Sequence, residues 1–316
     1  MKKTLFLLIA LISVISIFTS CKRGNTSSTP INITKPADVN QPTDTTTEQA
    51  DKATSENTTN STDTAHVTTS DSNVTYNGKA VTSEFKGVCL QLTTACENSS
   101  GTFDYNYAEN IGDGRGITFG AIGFTTGTYD GNELIKYYTQ LNPNNSLAKY
   151  IPALDKIDSG KHDADFKNDD VTGLENFIND VKACDDPLFK QAQLFELDIH
   201  YWNPAAKIAN SIGARNNLIL AFIYDMYVNH GADGTQDFID DVKEDMKGTP
   251  ATGINENEFL SWLMDYRYDY LKKDDPDGAK RVKSYEKLLT GGNVDLILPF
   301  EFNVYGDTFK IDGNVY

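Results

Sequence analysis

Cysteine is scarce in this sequence, and its placement excludes a disulfide framework. The chain has four, and with Cys21 assigned to a leader segment, Cys89, Cys96 and Cys184 remain, an odd number that cannot pair completely. Cys89 and Cys96 fall two turns apart if their segment is helical, about 10 Å by the helical rise, beyond the roughly 7 Å between Cα atoms that a disulfide spans. Buried thiols are expected instead. Histidine is equally sparse, with four in the chain, and no His or Cys spacing suggests zinc; neither metal nor organic cofactor is expected. Positive charge is in deficit as well. The 28 Lys and Arg face 45 Asp and Glu, a net charge of −17. Seven residues of each sign precede residue 80, so the whole deficit sits on the later part. Such a surface repels nucleic acid and attracts a polycation.

Long apolar runs are missing too. The longest, Leu5 to Phe18, follows Lys2 and Lys3 and is shorter than the roughly 20 residues a membrane helix needs. With Thr19, Ser20 and Cys21 behind it, the stretch is laid out as a secretory signal. Cys21 sits where a bacterial lipoprotein signal carries its acylated cysteine, so residues 1–21 are read as a leader with a lipid anchor at Cys21, and plain secretion is the alternative. From Lys22 to Thr75, 21 of 54 residues are Ser or Thr and none is aromatic. That composition cannot offset chain entropy by burial, which makes 22–79 a disordered tether. Residues 80–316 are then one catalytic-size domain, monomeric and held outside the cell, touching a membrane through the anchor only.

Within that domain, Phe85, Val88, Cys89, Leu92 and Cys96 recur at helical spacing and predict a helix ending close to Glu97. IGDGRGITFGAIGFTTGTYDG, from Ile111 to Gly131, is rich in Gly, Thr and β-branched or aromatic residues and predicts turns joining short strands. Amphipathic helical patterns then follow one another to Leu289, with Leu218 to Tyr224 apolar all round and central. Short strands return in LPFEFNVYGDTFKID. The class is mainly α (α+β), with a small sheet near the first acids and no internal repeat.

Two of those acids differ in setting. Glu97 closes an apolar helix, where desolvation favours the neutral carboxyl; Asp113 lies in a polar Gly-Asp-Gly-Arg turn beside Arg115, which favours the ionised form. Glycoside hydrolysis needs one carboxyl of each kind, an acid for the leaving oxygen and a base for water. Spacing alone does not separate this pair from ordinary surface charge. IGDGRG is no phosphate loop, lacking both G-x-G-x-x-G and a Walker lysine.

The residues ENSS at 97–100 and Y-x-E-x-I-G-D-G-R-G-x-T-x-G-x-x-G-F-x-x-G-T-x-D at 107–130 resemble the signature of family 46 chitosanases. LAKYIPAL at 147–154, FKQAQ at 189–193, Tyr201 to Pro204, IYDMYVNHG at 223–231 and YGD at 305–307 extend the resemblance in order along nearly the whole domain. It implies a lysozyme-like two-lobed fold with a small β-sheet in the minor lobe and a cleft between lobes. It also implies endo-acting, inverting hydrolysis of β-1,4-linked glucosamine, as chitosan or its oligomers.

By the same resemblance Glu97 is the general acid, Asp113 the general base and Thr118 a holder of the attacking water. Asp130 pairs with a sugar ammonium, although Asp is also a preferred helix N-cap. Ser99, Tyr107, Arg115, Thr128, Tyr201 and His230 line the sugar subsites, with structural bracing as the alternative for each. Asp225, Arg267 and Arg281 form a buried network that steers acid and base, or a plain structural ion pair. The competing functions are a lysozyme-like hydrolase of another amino sugar polymer and a non-catalytic surface polysaccharide-binding protein.

Overall fold

The structure, a computed structural model, describes residues 75–160 and 167–315; Cys21, the leader and nearly all of the tether lie outside the described residues. A short hairpin, β1 (Thr75–Tyr76) and β2 (Lys79–Ala80), occupies the end of the segment read as tether. It is fastened by Tyr76, whose buried hydroxyl donates to Asn216 O at 2.7 Å. Helix α1 (Ser83–Asn98) follows, started by Thr82, whose hydroxyl accepts from Phe85 N. Its residues from Lys86 to Cys96 are all buried, so it is a core element on every face. Its polar side chains are put to use inside: Gln91 donates to Asn314 O at 2.7 Å and accepts from Gly313 N at 2.7 Å, tying the C-terminal segment down. At Gly87 a Cβ would fall 1.9 Å from Gly313 O, so this close approach requires glycine.

The turn-rich stretch forms an antiparallel three-stranded sheet of β3 (Ala108–Glu109), β4 (Thr118–Phe119) and β5 (Phe124–Thr125), in that order. Thr118 pairs with Glu109 on one side and Thr125 on the other. Helices α2 (Asp130–Leu141), α3 (Ile151–Ile157), α4 (Phe177–Lys182) and α5 (Pro187–Leu197) come next. Phe119, Phe124, Leu134, Tyr138, Leu154 and Phe177 are among the residues that build the smaller of two hydrophobic cores.

Helix α5 belongs to both cores, with Phe189 and Ala192 in the smaller and Leu194 and Leu197 in the larger. A π-helical turn (Asp198–Trp202) joins it directly to α6 (Asn203–Ser211). Helix α7 (Asn217–Met246) runs through the larger core and is broken at Gly231, where φ is 71° and ψ −173°. That left-handed backbone favours glycine and ends the apolar half of the helix. Helices α8 (Glu256–Asp274) and α9 (Ala279–Thr290) and the hairpin β6 (Phe300–Val304) and β7 (Asp307–Ile311) complete the chain. Cys89, Cys96 and Cys184 are free and buried, as expected. Among the described residues no helix is long and apolar enough to cross a membrane.

Candidate active site

Glu97 stands in the last turn of α1, and the chain leaves the helix at Ser99 in a left-handed conformation, φ 48°. Its side chain is 14% exposed. Arg281 of α9 donates from Nη2 to Glu97 Oε1 at 2.6 Å and from the same nitrogen to Asp225 Oδ1 at 2.7 Å. Arg267 of α8 takes the other oxygen, Nη1 to Asp225 Oδ2 at 2.6 Å, and also donates to Asn229 Oδ1 and His230 Nε2, each at 3.1 Å. Asp225 is completely buried. Burial alone would raise its carboxyl, but the two guanidiniums outweigh it and hold the group below the usual carboxylate range. The network therefore clamps one oxygen of Glu97 through charges that have no access to water.

Asp113 is held differently. Its turn is exposed, and its carboxylate accepts from Arg115 Nε at 2.6 Å and Arg115 N at 3.1 Å. Burial pushes the carboxyl up, but these hydrogen bonds outweigh it and leave the group lowered. The following Gly116, with φ 75°, tucks its backbone against Thr126, where a Cβ would lie 2.4 Å from Thr126 Oγ1. The turn is thus pinned to the sheet that carries Thr118.

A cavity of about 270 Å³ opens beside these groups, with Glu97, Ser99, Tyr107, Arg115, Thr118 and Tyr201 in its lining. Thr118 Oγ1 is buried there with no protein hydrogen-bond partner. Burial, then the nearby Asp130 charge, push the Tyr201 phenol up to about 12, which keeps it a neutral donor. Asp113, Thr128, Asp130 and His230 are not part of that lining.

Asp130 opens α2, but it does not act as the N-cap; that position is Tyr129, at φ 71°. Instead Asp130 Oδ1 accepts from Thr128 Oγ1 and Gly131 N at 2.9 Å each and from Thr125 N at 3.2 Å. Burial pushes its carboxyl up to about 6 despite these bonds. Thr128 is hydrogen-bonded to Thr125 and Asp130. His230 joins the buried network as an acceptor from Arg267, and burial with that neighbouring charge pushes its imidazole down to about 2. It is a neutral brace in this structure rather than a wall of the cavity.

Three further features were not read from the sequence. Asn229 shares Arg267 with Asp225, one turn earlier on α7, and the i, i+4 spacing inside IYDMYVNHG was the available signal. Gln193 of α5 is buried and ties that helix to the segments flanking β3 and β4, accepting from Ala121 N at 2.8 Å and donating to Tyr105 O at 3.0 Å. Lys86 and Asp198 form a buried ion pair beneath Trp202; neither partner has a local motif. Among the described residues Glu133, Glu196 and His200 have ligand atoms within 4.8 Å of one another. Their contacts, 3.2 and 3.5 Å from His200 Nε2, are those of an imidazole between carboxylates, and none of the three lines the cavity.

Two arginine-paired carboxyls, one enclosed at a cavity wall and one in an exposed turn, in a mainly helical protein with two cores, are the groups that a glycoside hydrolase uses. Glycosyl hydrolase family 46 matches residues 91–300, and the chain belongs to that family. It is 37% identical over 237 residues to a chitosanase of Streptomyces sp. (strain N174), covering 72% of this chain and 82% of that protein. A chitosanase of Bacillus subtilis (strain 168) is 37% identical over 186 residues, 57% and 65% of the two chains. In structure the chain is similar to a mutant chitosanase from Bacillus subtilis MY002 complexed with 6 GlcN, with TM-score 0.62, 30% identity and 72% and 98% of the chains covered. The Gynuella sunshinyii GH46 chitosanase in complex with chitotetraose aligns with TM-score 0.63 and 30% identity, over 73% and 98%. The fold is the lysozyme-like one of these enzymes.

Proposed function

We propose that the protein cleaves chitosan within the chain, with inversion, using Glu97 as general acid and Asp113 as general base. The observation that carries this reading is the different enclosure of two carboxyls that are each paired with an arginine. Glu97 is enclosed at the cavity wall and gripped through one oxygen, Oε1, whereas Asp113 is held ionised by Arg115 in an exposed turn. An inverting hydrolase needs an acid that protonates the glycosidic oxygen from one face and a base that draws a proton from water on the other. Glu97 gives its proton to the leaving oxygen as the bond breaks. Asp113 takes a proton from water as that water attacks the anomeric carbon. Thr118 Oγ1, buried without a protein partner, accepts or donates a hydrogen bond to that water. Asp130 and the net charge of −17 draw in the ammonium groups of the polymer.

The supporting network of Asp225, Arg267 and Arg281 orients Glu97, and His230 and Asn229 orient Arg267. Ser99, Tyr107 and Tyr201 supply hydroxyls to the sugars. The protein reaches the polymer outside the cell, tethered through Cys21. Replacing Glu97 by Gln and Asp113 by Asn tests the assignment. Each change is expected to lower kcat by orders of magnitude with the fold retained, and near-normal turnover in either would remove that residue from its role.

A further inference from the structure

Beyond the cleft, the outer face of α8 carries aromatic side chains that the catalytic reading leaves unused. Trp262 and Tyr270 are exposed at 39% and 37%, and Tyr266 lies midway between them. The three are spaced at i, i+4 and i+8, one above another on a single helix face, about 12 Å from end to end by the helical rise. The Trp262 and Tyr266 rings are near parallel, 26° apart with centroids 6.3 Å from each other. Tyr270 is fixed by edge contacts with His230 and Phe238, at 5.8 and 5.4 Å. The result is a row of aromatic rings, exposed at Trp262 and Tyr270 and half-buried at Tyr266, where an isolated exposed aromatic would need no explanation but an aligned set does.

The neighbouring charge says what such a row would meet. The second half of α7 packs beside α8 and exposes Asp237, Asp240, Asp241, Glu244 and Asp245 within nine residues. Lys243 is the sole base among them, and it is tied to Asp240 at 3.9 Å. Tyr266 donates its hydroxyl to Asp245 and lies near Asp241 and Glu244, so the ring row adjoins these three carboxylates. Polyanions are repelled from this face. A polymer with apolar ring faces and a positive charge on each unit matches it twice: its C–H faces pack on the aromatic rings and its ammonium groups meet the carboxylates or the ring faces themselves.

From this juxtaposition we infer that the Trp262–Tyr266–Tyr270 face, with the acidic edge of α7, is a second, non-catalytic binding surface for glucosamine polymer. It holds long chains on the enzyme while the cleft cuts. This rests on the proposed action on chitosan for its ligand class. Exposed ring contacts contribute on the order of 0.5–1 kcal/mol each, so two rings change retention by roughly five- to thirtyfold.

The experiment compares the full chain with its Trp262→Ala and Trp262→Ala/Tyr266→Ala variants on two substrates, a glucosamine hexamer and long-chain chitosan, with thermal melts as a folding control. In parallel, adsorption to chitosan beads is measured for Glu97→Gln protein with and without the same two changes. The surface is supported if hexamer kcat/KM stays within about twofold while long-chain turnover at low polymer concentration and bead adsorption both fall about tenfold in the double variant. Equal losses on hexamer and polymer, or unchanged adsorption, overturn it. Failure of the catalytic reading would be distinct: the parent would then leave the hexamer intact, whatever the beads retain.

Discussion

Arg281 Nη2 lies 2.6 Å from Glu97 Oε1, so the carboxyl assigned as acid is held by a guanidinium that is itself buried against Asp225. Removing that cation leaves Asp225 with one partner fewer in a site closed to water. Arg281→Met is expected to cost about 3–5 kcal/mol of stability, the usual penalty for breaking a buried pair from one side. Denaturant titration reads this directly. A loss below about 1 kcal/mol, in the range of surface pairs, would mean that the network is not structural.

The sign of the Arg115 effect on Asp113 fixes a pH prediction. Its hydrogen bonds favour the ionised carboxylate against a burial effect that opposes it. The base acts when ionised, so activity is lost on the acid side as pH falls through the lowered value. Arg115→Met removes the side-chain bond and the charge while keeping the backbone bond and the burial, which moves the acid limb of kcat/KM to higher pH. An unmoved limb would show that another group sets it.

Gln193 makes two buried bonds, to Ala121 just after β4 and to Tyr105 just before β3. Gln193→Leu keeps the volume roughly and strands Ala121 N and Tyr105 O, at about 1–3 kcal/mol for each unsatisfied group. A lower melting temperature with a raised KM for oligomers is expected; an unchanged melt would deny it that bracing role.

Asp130 tests the choice of sugar. Its carboxyl, pushed up to about 6 by burial, gains charge as pH rises through that value. Affinity for glucosamine oligomers should therefore strengthen between about pH 5 and about pH 7 as the carboxylate forms, and Asp130→Asn should flatten that rise. Asp130→Ala should reduce cleavage of a fully deacetylated substrate most. Equal loss on N-acetylated oligomers would favour a hydrolase of another amino sugar polymer.

The legible parts of this protein are those written in local pattern. Phe85 to Cys96 announce α1 by period, and the helix ends at Asn98, one residue past Glu97. The glycines between Gly112 and Gly127 announce a strand-and-turn region, and the three-stranded sheet lies there. Where two elements abut without punctuation the pattern fails: α6 follows the π-helical turn with no break, and Pro204 sits in its first turn rather than ending a helix. The region from Thr172 to Cys184 reads as a longer helix than the six residues of α4, because its apolar residues also serve turns. Long-range partners leave no trace. Lys86 meets Asp198 across 112 residues, and Arg281 meets Glu97 across 184, so the latter is reached by family resemblance and not by spacing. The same resemblance puts His230 among the subsites, while here its imidazole is occupied by Arg267.

The most direct test of the catalytic account is an NMR time course of the protein acting on a glucosamine hexamer, following the configuration of newly formed reducing ends before mutarotation. Attack by water drawn by Asp113, opposite the proton donor Glu97, predicts that α-anomers appear first from the β-linked substrate. First appearance of β-anomers would contradict inversion and require a covalent intermediate, for which this pair of roles makes no provision.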